Sequence, residues 1–186
     1  MYHALLSSLS KAILLQAETE VTAEKRSAGP LAEVTANLLH RLPTFSDILF
    51  AKLVQRAGGW AVPCVVPQRE DADGRPWKDE DERLKAMGYR KSGGEDAAGL
   101  ESTGEYVARV SGMMRVYFAM LRAPGMGGDG AVGRMFWMPR YWIWFARMMG
   151  ERGLLETAAA PQIIYGASFI TRVCVCRNSL VDGGVG

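Results

Sequence analysis

Apolar residues recur at steps of three and four along most of this chain, and nowhere do they alternate with polar ones over a strand's length. That period gathers them on one face of a helix, so the chain must bury helix against helix. Leu6, Leu9, Ile13, Ala17 and Val21 form the first such face. Ser27-Ala28-Gly29-Pro30 ends it, and Pro30 suits the first turn of the next helix. That second helix carries Leu31, Val34, Leu38 and Leu39 inward and stops before Pro43. Thr44 is placed as an N-cap, with Asp47 favoured in the first turn by the helix dipole. A third helix turns Phe45, Ile48, Leu49 and Leu53 inward and Lys52 and Arg56 outward, until Gly58-Gly59 closes it.

Pro63 and Pro67 forbid a helix from Trp60 to Pro67, which is expected to be a buried extended connector. An acidic loop, Glu70 to Gly74, leads to a short charged helix from Lys78 to Met87 with Gly88 at its end. Ser102 and Glu105 have the spacing of a capping box. They open a long helix with Tyr106, Val110, Met113, Met114, Tyr117 and Met120 on its apolar side. Pro139 begins an aromatic helix that runs to Met149, and a last helix spans Thr157 to Cys176. The glycine-rich tail, 177–186, is expected to fray. About seven helices with short connections make an all-α chain.

Composition removes whole classes of protein. With 48% hydrophobic and 23% charged residues, the chain is neither disordered nor a coiled-coil rod, and 186 residues suffice for one core. Three cysteines cannot build a disulfide framework, and reduced thiols point to cytosol or nucleus. Cys174 and Cys176 lie on different sides of a helix, without zinc-site spacing. No apolar run is long enough to span a membrane.

Catalytic patterns are equally weak. Gly125 to Gly130 fits the letters G-x-G-x-x-G, but an amphipathic helix precedes it where the dinucleotide motif needs a strand, so it reads as a connector. His3 and His40 have no partner at metal spacing, and Cys64 has no histidine near it in sequence. Asp79 to Glu82 reads as a solvated helix start. Phe136, Trp137, Trp142, Trp144 and Phe145 read as core or a helix seam, with base stacking as the alternative.

The net charge of +2 hides an uneven distribution. Residues 71–105 hold ten acids against six bases, whereas 106–186 hold nine arginines, no lysine and four acids. Lys52 and Arg56, at i and i+4, share one helix edge. Lys78, Lys85, Arg90 and Lys91 flank the short helix and the Met87-Gly88-Tyr89 turn. Brought together, these six would hold a compact polyanion through charge-assisted hydrogen bonds; left apart, they are an ordinary charged surface.

Three collinear stretches carry a resemblance. They are Lys11 to Val21; Ser46 to Leu53 running on to Val62-Pro63 and Val66-Pro67; and Leu84 to Arg90 followed by Arg109 to Tyr117. In order and spacing they resemble the C-terminal domain of the Gle family of nuclear-pore mRNA export mediators. The resemblance implies an all-α, HEAT-like fold similar to the middle domain of translation initiation factor four-gamma (MIF4G-like), and no enzyme activity. It implies an adaptor that binds and stimulates a DEAD-box RNA helicase in the nucleus and cytoplasm, at the cytoplasmic face of the nuclear pore complex. Nucleoporins and translation initiation or termination factors are the further partners implied, with RNA touched only through the helicase. Inositol hexakisphosphate is implied as a tether held by basic side chains, and Lys52, Arg56, Lys78, Lys85, Arg90 and Lys91 are the residues here that could hold it. Further helices would follow the segment 169–176 in this family, so 1–186 is expected to be one Gle-like domain lacking its last helices. The arginine-rich second half suggests an alternative: a HEAT-like scaffold for RNA or translation factors that uses no polyphosphate.

Overall fold

A computed structural model of the chain describes residues 1–67, 69–71, 73–92, 99–124, 126 and 132–168. Seven helices are named within it: α1 (Tyr2–Ala23), α2 (Ala28–Arg41), α3 (Phe45–Ala57), α4 (Glu80–Ala86), α5 (Thr103–Leu121), α6 (Met138–Gly150) and α7 (Arg152–Leu155). A further helical stretch covers 160–168. Among the described residues the only extended pairings are two isolated bridges, Glu70 with Pro76 and Lys91 with Leu100. The architecture is therefore helix on helix.

α5 is the axis of the core, packed against α1, α2, α3 and α6. Its Ser102–Glu105 capping box forms as the spacing predicts: the Ser102 side chain accepts from the Glu105 amide, and Glu105 accepts from the Ser102 amide. Val110, Met113, Met114, Tyr117 and Phe118 are all fully buried. α1 comes close to α5 at Gly112. A Cβ there would lie 2.5 Å from the Ala17 carbonyl oxygen and 2.8 Å from Thr22 Oγ1. On α1 the buried stripe is Leu6, Ser10, Ile13, Leu14, Ala17 and Val21. The Ser10 hydroxyl inside it donates to the Leu6 carbonyl at 2.8 Å, which removes the cost of an orphaned donor.

Several local expectations change on folding. α2 buries the small residues Ala28, Ala32, Thr35 and Ala36 with Leu39, so Val34, expected inside, is exposed. Thr44 does stand at the N-cap of α3, but in the left-handed region (φ 63°) and without a side-chain cap. The tight turn after Pro43, in which the Phe45 amide donates to the Leu42 carbonyl, has taken over that role. The Trp60–Pro67 connector is only partly buried. It opens with a 3-10 turn at Gly58–Trp60 and a turn over 61–63; Trp60, Ala61 and Pro63 are buried, whereas Cys64 and Val65 are exposed.

The aromatic set serves the core. Trp144 donates from Nε1 to the Trp60 carbonyl at 2.7 Å and meets Phe118 edge-on at 4.6 Å, which docks α6 onto α5. Phe136 and Trp144 are buried, but Trp142 and Ile143 face outward. The last helix begins three residues later than expected, because Thr157 caps the preceding turn by donating to the Leu154 carbonyl. Residues 169–186, with Cys174, Cys176 and the expected frayed tail, lie outside the described residues, as does nearly all of the 125–130 glycine run. No described helix is long and apolar enough to cross a membrane.

Candidate polyanion-binding surface

The centre of this surface is an acid. Glu18 follows Leu14 by four residues and precedes Val21 by three, which puts its carboxylate at the edge of α1's buried stripe. Only 7% of its side chain remains exposed. A carboxylate taken so far from water must find cations. Arg56 of α3 donates from Nη1 to Glu18 Oε1 at 2.8 Å. Arg90, which follows α4, donates in fork geometry from Nη1 and Nη2 to the two oxygens, at 2.9 and 2.8 Å. Burial pushes the Glu18 carboxyl up, but the hydrogen bonds and charge of Arg90, reinforced by Arg56, outweigh it and hold the group below its usual range.

A second buried ion pair fixes the chain segments that carry these arginines. Arg109 on α5 pairs with Glu101 through Nε and Nη2. It also donates to the carbonyls of Arg56 and Gly88, each at 2.8 Å. Glu101 in turn accepts from the Arg90 amide at 2.9 Å. Arg109 thus ties the C-terminal end of α3 to the turn after α4. Gly88 makes that turn possible: its φ is 95°, and its backbone lies against that of Gly58, itself at φ 62°. Tyr89 and Tyr106 stack at 3.8 Å beside it. The Tyr106 hydroxyl donates to the Met87 carbonyl and accepts from Trp60 Nε1. Burial pushes the Tyr106 phenol up to about 12, so it stays neutral across the physiological range.

The structure therefore sorts the six cations. Arg56 and Arg90, distant in sequence, converge on one carboxylate and leave a net positive charge there. Lys52 lies one turn before Arg56 on the same edge of α3 and donates to Gln55 at 2.8 Å. Lys91 follows Arg90 and is exposed. Lys78 and Lys85 are exposed at either end of α4, and neither joins the Glu18 cluster nor any ion pair among the described residues. Both arginines keep guanidinium donors beyond those given to Glu18. One buried acid holds them in place, and a second anion arriving from solvent would find them already oriented.

Glu18 also sets an acid limit on stability. Unfolded, a glutamate titrates near ~4.3; folded, Glu18 titrates lower, so the native state binds its proton less tightly. Its stabilising contribution is therefore present above that unfolded value and is lost as pH falls through the folded one. Melting experiments on wild type and Glu18→Gln should show their largest difference near about pH 7, shrinking below about pH 4. A difference independent of pH would mean that Glu18 is not held as a charged partner.

Fold and site together define a helical scaffold with a preorganised cationic surface. Comparisons with known proteins make the family explicit. The sequence model of the family described as GLE1-like protein matches residues 1–168, and the chain belongs to that family. The chain is 26% identical over 151 residues to mRNA export factor Gle1 of Drosophila melanogaster, covering 81% of this chain and 21% of that protein. To the Danio rerio mRNA export factor it is 25% identical over 175 residues, or 93% of this chain and 22% of that one. A 55-residue stretch is 40% identical to the Saccharomyces cerevisiae factor, 30% of this chain and 10% of that one. The chain thus spans only about a fifth of the fly and fish relatives. A solved structure described as the S. cerevisiae Dbp5 C-terminal domain bound to Gle1 and IP6 shares the fold, with TM-score 0.68 and 21% identity over 87% of this chain and 50% of that one. The all-α, HEAT-like architecture expected from the sequence is the one found.

Proposed function

We propose that the chain is a non-enzymatic adaptor of mRNA export that binds and stimulates a DEAD-box RNA helicase at the cytoplasmic face of the nuclear pore, with inositol hexakisphosphate as a tether. Family membership across residues 1–168 carries this reading, because the curated relatives are named mRNA export factors. The complex of Dbp5 with Gle1 and IP6 supports the partner and the tether. The polyphosphate would lie on Lys52, Arg56, Arg90 and Lys91, where the Glu18 cluster already orients two guanidinium groups. Lys78 and Lys85 would contribute only longer-range attraction.

The mechanism needs no reacting group on this chain. A scaffold that binds one helicase conformation better than another shifts the helicase toward that state by its differential affinity. A polyphosphate between two cationic surfaces converts their repulsion into mutual attraction. Lys52→Glu with Lys91→Glu is the informative variant, because reversing Arg56 would set a second acid against Glu18 and confuse binding with folding. Helicase ATPase stimulation by this double variant should fall by about tenfold or more with inositol hexakisphosphate at low salt. Its stimulation without the polyphosphate should match that of wild type. Equal stimulation by both proteins in both conditions would remove the tether from this surface.

A further inference from the structure

Away from the Glu18 cluster, a groove of about 260 Å³ runs between the start of α2, the C-terminal half of α5 and the helical stretch 160–168. Its lining divides sharply by size and charge. It is lined by the small residues Ala28, Gly29, Ala119 and Gly166 and by the cations Lys25, Arg26, Arg115 and Arg122. Arg115 and Ala119 stand one turn apart on α5, and Arg122 is the C-cap residue that follows it. No acid lines the groove.

Unpaired cations are common among the described residues, and these four are set apart by lining one groove. Arg56, Arg75, Arg83, Arg90 and Arg109 are each paired with a carboxylate. None of the four groove cations is in an ion pair among the described residues. Glu24, the nearest acid in sequence, is used otherwise: its carboxylate accepts from the Arg26 backbone amide. Arg115 is half-buried, and burial pulls its guanidinium below the usual range, with only the Tyr165 phenol opposing. Four like charges held around one groove repel one another, and a multivalent anion is the ligand that reverses that cost.

We propose that this groove is a second anion site, which takes a compact oligophosphate on Lys25, Arg26, Arg115 and Arg122. Guanidinium groups favour phosphate for its matched fork geometry, and two of them come here from the last turns of α5 and its C-cap. A volume of about 260 Å³ suits a compact ligand, whereas a polymer needs a longer track for its backbone. The site is separate from the Lys52–Arg90 surface and does not depend on the adaptor reading.

Site-resolved NMR titration of the 186-residue chain with inorganic tripolyphosphate tests this. Amide shifts should move at Gly29, Ala119 and Gly166. In Arg115→Gln with Arg122→Gln those shifts should weaken at least about tenfold in affinity, because each charge-assisted hydrogen bond contributes about that much. Ala119→Glu, which places an acid in the groove, should abolish them. Thermal melting of the double arginine variant should show no loss of stability, since neither arginine has a carboxylate partner among the described residues. Shifts confined to the Lys52 and Lys91 region, or unchanged in both variants, would overturn the proposal. Single-stranded RNA that saturates the groove at lower concentration than tripolyphosphate would also overturn it, in favour of a polymer site.

Discussion

Replacing Arg109 with methionine should destabilise the protein by about 3–5 kcal/mol, the range for removing one partner of a buried ion pair. The side chains of Arg109 and Glu101 are each only 10% exposed, so the abandoned Glu101 carboxylate has little water to turn to. Methionine keeps much of the volume, which limits any cavity contribution. Two further acceptors, the Arg56 and Gly88 carbonyls, would lose their donor at the same time. Arg109→Lys should recover only part of the loss. An ammonium keeps the charge, but it cannot reach a carboxylate and two carbonyls with a planar fork. Chemical denaturation of the two variants reads this directly. A loss below about 1 kcal/mol for the methionine variant would mean that the pair is solvated. The functional consequence follows from the same contacts. With Arg109 gone, the end of α3 and the turn after α4 lose their direct tie and depend on Glu18 and Tyr106 alone, which loosens the register of Arg56 and Arg90.

Gly112→Ala should lower stability by about 1–3 kcal/mol, although the same exchange at an ordinary helix position raises it. The reversal comes from where α1 crosses α5. The added methyl would meet the Ala17 carbonyl oxygen at 2.5 Å, and a backbone atom in mid-helix cannot turn aside as a side chain does. α1 must move away from α5, loosening the contacts of Ala17, Val21 and Val110. Gly104→Ala, in the first turn of the same helix with nothing within 4 Å of an added Cβ, is the control. It should leave the denaturation midpoint unchanged or slightly raised. Equal effects at the two positions would show that helix propensity, rather than close approach, governs Gly112.

The helices were legible in the sequence because apolar spacing is a local signal. The capping box at Ser102, the aromatic helix after Pro139 and the end of α3 at Gly58 all fall where that spacing put them. What the sequence concealed depended on which neighbour each face met. Val34 fits the helical period as well as Ala32 or Thr35 does, and only the packing against α5 decides which of them is inside. Thr44 has the chemistry of a cap, but a tight turn overrode it.

The candidate surface shows the same limit. Lys52, Arg56, Arg90 and Lys91 stood out as a basic set, but Glu18, which organises two of them, did not. Its signal was present: an acid at the edge of a buried stripe, four residues after Leu14. The two arginines that answer it lie 38 and 72 residues away, beyond any local pattern. Arg109 was visible only as part of a family motif, and its buried contacts show what holds it there. The arginine excess after residue 106 likewise resolved into distinct uses, one buried pair at Arg109 and the open groove at Arg115 and Arg122.

Titration calorimetry with inositol hexakisphosphate, on the chain alone and on the chain mixed with a DEAD-box helicase, tests the central claim most directly. Binding by the chain should be measurable at low salt, weaken with added salt, and tighten in the presence of the helicase. Lys52→Glu with Lys91→Glu should reduce it about tenfold or more. No heat in either titration, or equal affinity of wild type and the double variant, would contradict a polyphosphate held on the surface that Glu18 organises.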